Sequence, residues 1–202
     1  MKIFSIEGNI GSGKSTLINF LKESDLDVYY LPEPVDLWNE IKDSSGVTIL
    51  EKYYQDQKKY AFPFQMMAYI SRISQIKSIK CDSIVITERC VFTDREIFAK
   101  MLYDKGLIEE IEYTIYLKWF DEFKVDIDGI MYLQTSPHTC ATRIKTRNRK
   151  GETIPIEYLI DCHEYHERWI NNTDIPCLVL NNEEQNCFTS QIKEFVEKNI
   201  KI

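Results

Sequence analysis

The sequence predicts an α/β protein built on a five-stranded parallel sheet with helices on both faces. Three observations predict this fold. Short apolar segments recur along the chain, longer segments of helical period separate them, and several of the short segments are apolar at consecutive positions. Parallel strands have this continuous apolar character because helices cover both of their faces. The predicted strands are 2–7, 27–31, 83–88, 129–134 and 176–180.

The helical segments alternate with these strands, as in a chain of βαβ units. The first helix begins at Thr16, shortly after the first strand. About fifty residues separate the second and third strands, and they predict a long helix over 60–80 and shorter helices within 37–58. An insertion of this size can form the wall of a pocket. The chain has no repeat and no Pro/Gly-rich linker, so we expect a single domain over 1–202.

Composition narrows the classes of function. The chain has 202 residues, of which 44% are hydrophobic, and no stretch approaches the ~20 apolar residues of a membrane span. Its formal net charge of −7 argues against a large nucleic-acid surface, which would have to neutralise phosphates. The six cysteines form no CxxC pair and no secretory signal precedes the first strand. We therefore expect free thiols and a cytoplasmic protein.

The strongest chemical signal is a glycine-rich loop between the first strand and the first helix, which matches GxxxxGK[ST]. In such loops backbone N–H groups surround a β-phosphate, and the helix N-terminus adds positive charge. Lys14 would bridge the β- and γ-phosphates, and Ser15 could bind Mg²⁺. The predicted ATP-binding residues are Gly8, Asn9, Ile10, Gly11, Ser12, Gly13, Lys14, Ser15 and Thr16.

This loop predicts a nucleotide site without choosing a reaction. A GTPase switch is disfavoured, because the chain lacks NKxD and its DxxG match at 126–129 precedes a strand instead of following one. Glu33 and Glu88 follow the second and third strands, at the sheet edge where doubly wound folds bind ligands. Each could cap a helix, act as a general base or bind a metal. Arg89 could form a surface pair or hold an acid and a hydroxyl in place.

A cationic segment occupies 143–150, with five Lys and Arg residues and no acid. A solvated helix face is the ordinary explanation of such a run. A clamp for an anion is the alternative. The segment by itself does not choose between them.

Taken together, these motifs resemble the deoxyribonucleoside kinase family, which includes deoxycytidine, deoxyguanosine and insect multisubstrate kinases. The resemblance runs in the family's order through most of the chain. It implies a P-loop nucleoside kinase fold, ATP with Mg²⁺ as the phosphate donor, and a homodimer formed through helices near the 60–80 segment. The matching motifs are GNIGSGKST (8–16), EPVDLW (33–38), YAFPFQ (60–65), SR (71–72), ERCVFTDREIFA (88–99), RIKTRNR (143–149) and IPIEYL (154–159).

The resemblance also implies catalytic roles. Glu33 corresponds to the base that takes the proton of the nucleoside 5′-hydroxyl, and Arg89 to the arginine that orients this hydroxyl. Glu88 corresponds to the acid on the Mg²⁺ side, with Ser15 as a second metal ligand. A lid over about 143–154 would close over the donor. The cations expected to stabilise the transferred phosphoryl group are Lys14, Arg143, Arg147 and Arg149.

For the acceptor pocket, the resemblance implies a set of lining residues. An amide can present a donor and an acceptor to a base edge, and aromatic rings can stack on its faces. Tyr53 departs from the family, in which many members carry Met, and Cys90 stands where Ser is common. The expected lining residues are Gln65 at the base edge, Phe64 and Phe98 at its faces, Trp38 at the outer rim, and Tyr54 with Glu152 at the sugar 3′-hydroxyl.

Base specificity is predicted from Arg72 and Asp94. Arg72 follows Gln65 by seven residues on the same predicted helix, so both side chains can face one pocket. Asp94 begins the next helix, where a carboxylate is favourable and could pair with a nearby cation. In the family, this pair resembles deoxycytidine and deoxyguanosine kinases. We therefore expect deoxycytidine and purine deoxynucleosides to be better substrates than thymidine, unless the two residues form only a surface ion pair.

The sequence thus predicts an ATP-dependent deoxyribonucleoside 5′-kinase of nucleotide salvage. The nearest alternative is a nucleoside monophosphate kinase of the thymidylate kinase type. Such an enzyme must bind an acceptor phosphate and would not place a carboxylate base such as Glu33 beside that anion. A nucleotide-binding regulator without catalysis is the other alternative, and the combination of base, metal acid and lid disfavours it.

Overall fold

The computed structural model describes residues 1–79, 83–148, 154–184 and 186–200. Its strands form one parallel sheet in the order β2-β3-β1-β4-β5. The prediction of a five-stranded parallel sheet is therefore confirmed, although β2 is shorter than the predicted 27–31. The strands are β1 (Lys2–Glu7), β2 (Tyr29–Leu31), β3 (Ile84–Glu88), β4 (Gly129–Gln134) and β5 (Cys177–Asn181).

Helices connect the strands in sequence. The long predicted helix spans Gln57–Ser78, and a π-helical segment, Asp94–Ala99, interrupts the helical stretch that follows β3. In the described residues, the α-helices are α1 (Lys14–Lys22), α2 (Val35–Glu40), α3 (Ile49–Gln55), α4 (Gln57–Ser78), α5 (Val91–Thr93), α6 (Lys100–Asp104), α7 (Glu110–Phe123), α8 (Pro137–Arg147), α9 (Ile156–Asn172) and α10 (Thr189–Ile200).

Both faces of the sheet are buried under helices. On one face, Phe4 and Ile6 of β1 pack with apolar residues of α1 and α10. On the other, Ile3 packs with residues of α4, the π-helical segment and α9. Two-sided burial explains why the strands are apolar at consecutive positions. Across the ranges that the structure describes, no helix has the length and apolar character needed to cross a membrane.

The insertion between β2 and β3 consists of α2, α3 and α4, and it packs as a separate apolar cluster around Trp38, Tyr53 and Phe64. Local hydrogen bonds fix where α3 begins. The hydroxyl of Thr48 accepts from the backbone N–H of Glu51 at 3.1 Å, and the Glu51 carboxylate accepts from the Thr48 N–H at 2.9 Å. This capping box satisfies two N–H groups that a helix start leaves without partners. It thereby fixes the start of α3, which carries Tyr53 and Tyr54.

Candidate active site

A cavity of about 790 Å³ lies at the carboxyl edge of the sheet. Its loop end is lined by the Gly8–Ser15 loop, and its insertion end by side chains of α2, α3 and α4. Gly8, Asn9 and Ser12 are buried behind the loop surface, and Arg149 and Glu152 lie outside the described residues. The predicted site residues that line the cavity are Ile10, Gly11, Gly13, Lys14, Ser15, Thr16, Glu33, Trp38, Tyr54, Phe64, Gln65, Arg72, Glu88, Arg89, Asp94, Phe98, Arg143 and Arg147.

The loop end depends on glycine at two positions. Gly11 has a φ of 81°, and a Cβ atom there would lie 2.7 Å from the carbonyl oxygen of Cys140 in α8. Gly13 has a φ of 99° and forms the N-cap of α1. Other residues would be strained in this left-handed conformation. The turn therefore brings the loop against α8 and places the first residues of α1, which line the cavity, directly after it.

Lys14 reaches back across this loop. Its Nζ donates to the carbonyl oxygens of Asn9, at 2.8 Å, and Gly8, at 3.2 Å. Burial, assisted by the nearby charge of Arg89, lowers the pKa of Lys14 to about 8. An anion in the loop would favour the charged form of this amine, because opposite charges at close range raise a lysine pKa.

Ser15 and Glu88 meet at the same edge of the sheet. Glu88 ends β3, which lies beside β1 with Ile6 opposite Glu88, and Ser15 is the second residue of α1, where the loop ends. The Ser15 hydroxyl donates to both carboxylate oxygens of Glu88, at 2.9 and 3.1 Å. A hydroxyl and a carboxylate suit Mg²⁺, which usually takes few protein oxygens and completes its shell with water and substrate phosphates. These two side chains therefore fit the metal-binding role predicted for them.

Glu33 is the centre of a charged network at the middle of the cavity. Its Oε1 accepts from Nη2 of Arg72 at 2.9 Å and lies 3.3 Å from Nε of Arg89. Burial by itself would raise the pKa of Glu33, but Arg72, Arg89 and then Lys14 outweigh it and lower the pKa to about 2. Glu33 is therefore an ionised hydrogen-bond acceptor at neutral pH.

Arg72 and Asp94 form a buried ion pair, and not the surface pair that was the alternative. Their exposed fractions are 4% and 1%, and Nε of Arg72 donates to both Asp94 oxygens, at 3.0 and 3.2 Å. Burial raises the pKa of Asp94 to about 6, although Arg72 opposes that shift. Because Arg72 also donates to the backbone oxygen of Glu88, at 2.8 Å, it connects the end of β3 to Glu33.

Arg89 has a strained backbone. Its φ is 65°, a left-handed conformation that costs a non-glycine residue roughly 1–3 kcal/mol. The hydrogen bonding between β1 and β3 nevertheless continues one residue beyond the end of β3, since the N–H of Arg89 donates to the carbonyl oxygen of Ile6 at 3.0 Å. The side chain is thereby directed into the cavity, where its guanidinium lies 4.9 Å from the ring centre of Phe98.

The insertion end contains three of the predicted base-contacting residues, Gln65, Phe64 and Trp38, whereas Phe98 comes from the π-helical segment. Gln65 is 2% exposed, and its Oε1 has no hydrogen-bond partner among the residues that the structure describes. A buried acceptor without a partner costs about 1–3 kcal/mol, so a ligand donor would stabilise it. Phe64 lies between Tyr53, stacked at 4.7 Å, and Trp38, edge-on at 5.2 Å. One face of Phe64 is therefore covered by Tyr53, a contact that the spacing of sequence motifs could not reveal.

Arg143 is engaged with the backbone around the loop. Its Nη1 donates to Ser12 O at 3.2 Å, and its Nη2 to the carbonyl oxygens of Asn182 at 2.8 Å and Glu183 at 3.1 Å. It thus joins α8 to the Gly8–Ser15 loop and to the turn after β5. Arg147, one helical turn later, lines the cavity. The two arginines have different surroundings, which the cationic run did not indicate.

Tyr158 is a cavity residue that sequence reasoning missed. It belongs to the first turn of α9, and its hydroxyl lies 2.9 Å from the hydroxyl of Tyr53. Its position within the IPIEYL motif was the signal that could have identified it. The contact joins residues 105 positions apart in sequence, so only the folded structure brings them together.

Comparison with known proteins gives consistent results. The family model described as deoxynucleoside kinase matches residues 4–202. Deoxycytidine kinase 1 of Xenopus laevis is 33% identical, over 97% of this chain and 91% of the relative. Deoxycytidine kinase of Homo sapiens is 35% identical, over 98% and 89%. A mitochondrial deoxyguanosine kinase of Xenopus laevis is 34% identical, over 91% and 82%.

Proposed function

The chain belongs to the deoxynucleoside kinase family and is a deoxynucleoside kinase, and on this basis we propose that it transfers the γ-phosphoryl group of ATP to the 5′-hydroxyl of a deoxyribonucleoside in nucleotide salvage. The observation that carries this proposal is Glu33, an ionised carboxylate held by two arginines in the cavity that Lys14 also lines. We assign the donor to the loop end and the acceptor to the insertion end.

At the loop end, the backbone N–H groups of the glycine-rich turn and Lys14 would hold the donor phosphates. Ser15 and Glu88 would hold Mg²⁺, which neutralises charge on the phosphate oxygens when it is bound. The ammonium of Lys14 would exchange its contacts with two backbone oxygens for contacts with the β- and γ-phosphates. Arg147 and Arg149 would stabilise the phosphoryl group during transfer, within a lid at about 143–154 of one kinase domain spanning 1–202.

At the insertion end, Glu33 would accept a hydrogen bond from the 5′-hydroxyl, and Arg89 would fix its direction. The low pKa of Glu33 makes it a weak base, so we infer that it orients the hydroxyl first and takes the proton late in the transfer. Phosphoryl transfer has a loose transition state that requires little early deprotonation of the nucleophile. Tyr54, together with Glu152, would bind the sugar 3′-hydroxyl.

The base would lie beside Gln65 and the Arg72–Asp94 pair, with aromatic contacts from Phe98, Phe64 and Trp38. The buried ion pair supports a preference for deoxycytidine and purine deoxynucleosides, because its bulk and polarity suit their amino groups better than the methyl group of thymine. The same pairing disfavours the monophosphate kinase alternative. Arg72 and Arg89 are already neutralised by Glu33 and Asp94, which leaves less positive charge for an acceptor phosphate.

An assay over the four deoxynucleosides and their monophosphates, with ATP and Mg²⁺, tests the function. We expect 5′-monophosphate products from deoxycytidine and the purine deoxynucleosides, slower turnover of thymidine, and no turnover of the monophosphates. Phosphorylation of monophosphates alone would instead establish the rival enzyme. A preference for thymidine over the other three would overturn the specificity assignment while leaving the kinase assignment in place.

We also propose a homodimer and a cytoplasmic location. An apolar face on α7, formed by Ile111, Ile115 and Trp119, supports the homodimer, because these residues recur every four positions and are 40–64% exposed. Ile70 of α4, which is 42% exposed, is a further exposed apolar residue on the neighbouring helix. The cysteines within the described ranges are free thiols, which is consistent with a reducing compartment.

A further inference from the structure

Two tyrosine hydroxyls connect opposite walls of the cavity. Tyr53 is on α3 and is 2% exposed, and its Oη lies 2.9 Å from Oη of Tyr158 on α9. Burial raises the pKa of both phenols, so both keep their protons at neutral pH and one donates to the other. Tyr53 also stacks on Phe64 and lies beside Tyr54, with ring centres 4.7 and 5.4 Å away. The position of Tyr53 therefore shapes the insertion end.

The next residue on α9 contacts the other end of the cavity. The carbonyl oxygen of Leu159 accepts from Nδ2 of Asn9 at 2.8 Å, and the oxygen Oδ1 of that same amide accepts from the N–H of Ile10 at 2.8 Å. Leu159 is fully buried and packs with Cys140 and Ile144 of α8. Two neighbouring residues in one helical turn thus contact different segments: Leu159 contacts the Gly8–Ser15 loop, and Tyr158 contacts the insertion.

We propose that Tyr158 is a positioning residue that couples the two substrates: donor binding in the loop tightens nucleoside binding through the Tyr158–Tyr53 hydrogen bond. The proposal rests on the assignment of donor and acceptor to the two ends of the cavity. Lys14 now donates to the backbone oxygen of Asn9, so a donor that draws Lys14 away changes the contacts of the residue that holds Leu159. A shift of Leu159 carries Tyr158 with it, because both belong to the first turn of α9.

Such coupling is reciprocal, so it is measurable from the nucleoside side alone. Titration calorimetry would give the deoxycytidine Kd with and without the β,γ-imido analogue of ATP plus Mg²⁺. For the unmodified enzyme we expect the analogue to lower Kd by at least about threefold, the range that one net hydrogen bond supports. In Tyr158→Phe and in Tyr53→Phe, the factor by which the analogue lowers the Kd should fall below about 1.5. The double variant should lose no more of this factor than either single variant, because both changes remove the same hydrogen bond.

Tyr165→Phe is the matched control. Tyr165 lies on the same helix, and its hydroxyl donates to Oδ2 of Asp104 at 2.6 Å, outside the residues that line the cavity. In this variant the analogue should still lower the Kd by the full factor. If Tyr158→Phe is poorly folded by thermal melting, Tyr53→Phe removes the same hydrogen bond from the other side.

Two results would overturn the proposal. One is an unmodified enzyme whose nucleoside Kd is the same with and without the analogue. The other is a Tyr158→Phe enzyme in which the analogue still lowers the nucleoside Kd by the full factor. Failure of the functional assignment has a different signature. In that case the unmodified enzyme would neither bind nor phosphorylate deoxycytidine or a purine deoxynucleoside, whichever tyrosine is changed.

Discussion

Arg72 has more partners than its place in the sequence suggests, since it contacts Glu33, Asp94 and the backbone oxygen of Glu88. Removing one partner of a buried charged group leaves the remaining charge without a partner. The free-energy cost of that unpaired charge exceeds the stabilisation that the intact pair provides. Substitutions in this network therefore alter catalysis and specificity together. Their effects must be judged by the ratio of kcat/KM between two substrates, or by comparing the change in kcat with the change in Kd.

Glu33→Gln keeps the shape of the side chain but loses its capacity to accept a proton. We expect kcat to fall by about 10²–10⁴-fold while the nucleoside Kd changes little. Rapid-quench or coupled assays would give kcat, and calorimetry would give Kd. Glu40→Gln, an exposed position on α2, is the control and should leave both unchanged. Retained turnover in Glu33→Gln would remove Glu33 from the chemical step.

Arg72→Met combined with Asp94→Ala should raise the kcat/KM ratio of thymidine to deoxycytidine by at least about tenfold, which corresponds to about 1.4 kcal/mol. The ratio is the useful quantity, because loss of the Arg72 contact to Glu33 lowers turnover of every nucleoside. Lys100→Met with Asp104→Ala removes an ion pair whose side chains are 42% and 32% exposed, as the control. An unchanged ratio would mean that the Arg72–Asp94 pair serves the fold alone.

At the scale of elements, the sheet and its crossovers could be predicted because continuous apolar runs such as Ile84–Ile86 require helices on both faces. The loop was predictable because the spacing of its glycines indicates where the backbone must turn tightly. The left-handed backbone of Arg89, the π-helical segment Asp94–Ala99 and the Tyr53–Tyr158 contact were not. Each depends on packing between distant segments, and π-helical turns persist where the surrounding structure holds them.

Helix α8 offers a test of the cationic run, because Arg143 donates to backbone oxygens around the loop and Arg147 lines the cavity one turn later. Arg147→Ala should lower kcat by much more than it raises the nucleoside Kd, since its charge matters chiefly during phosphoryl transfer. Lys145→Ala removes an exposed cation from the same helix and should change neither value. Calorimetry without ATP, beside steady-state kinetics, separates the two effects. Equal losses of turnover and affinity in Arg147→Ala would identify the cationic run as structural.

In the whole molecule, α4 carries residues that line the cavity as well as an exposed apolar residue, Ile70. Gln65 and Arg72 are buried and line the cavity, whereas Ile70, between them in sequence, is 42% exposed. α4 also contacts α7, where the Tyr69 hydroxyl donates to the carbonyl oxygen of Trp119 at 2.9 Å. A partner on α7 would therefore lie one helix away from residues that line the cavity.

The homodimer prediction follows from this arrangement. Ile115→Asp places a charge in the middle of the α7 face, where association would bury it without a partner, so we expect the dimer to dissociate to monomers. Size-exclusion chromatography with light scattering gives the mass directly. Phe20→Asp, at a 57% exposed apolar residue on α1, adds the same charge elsewhere and should leave the dimer intact. If Ile115→Asp keeps the dimer mass, or Phe20→Asp dissociates it, the interface does not lie on α7.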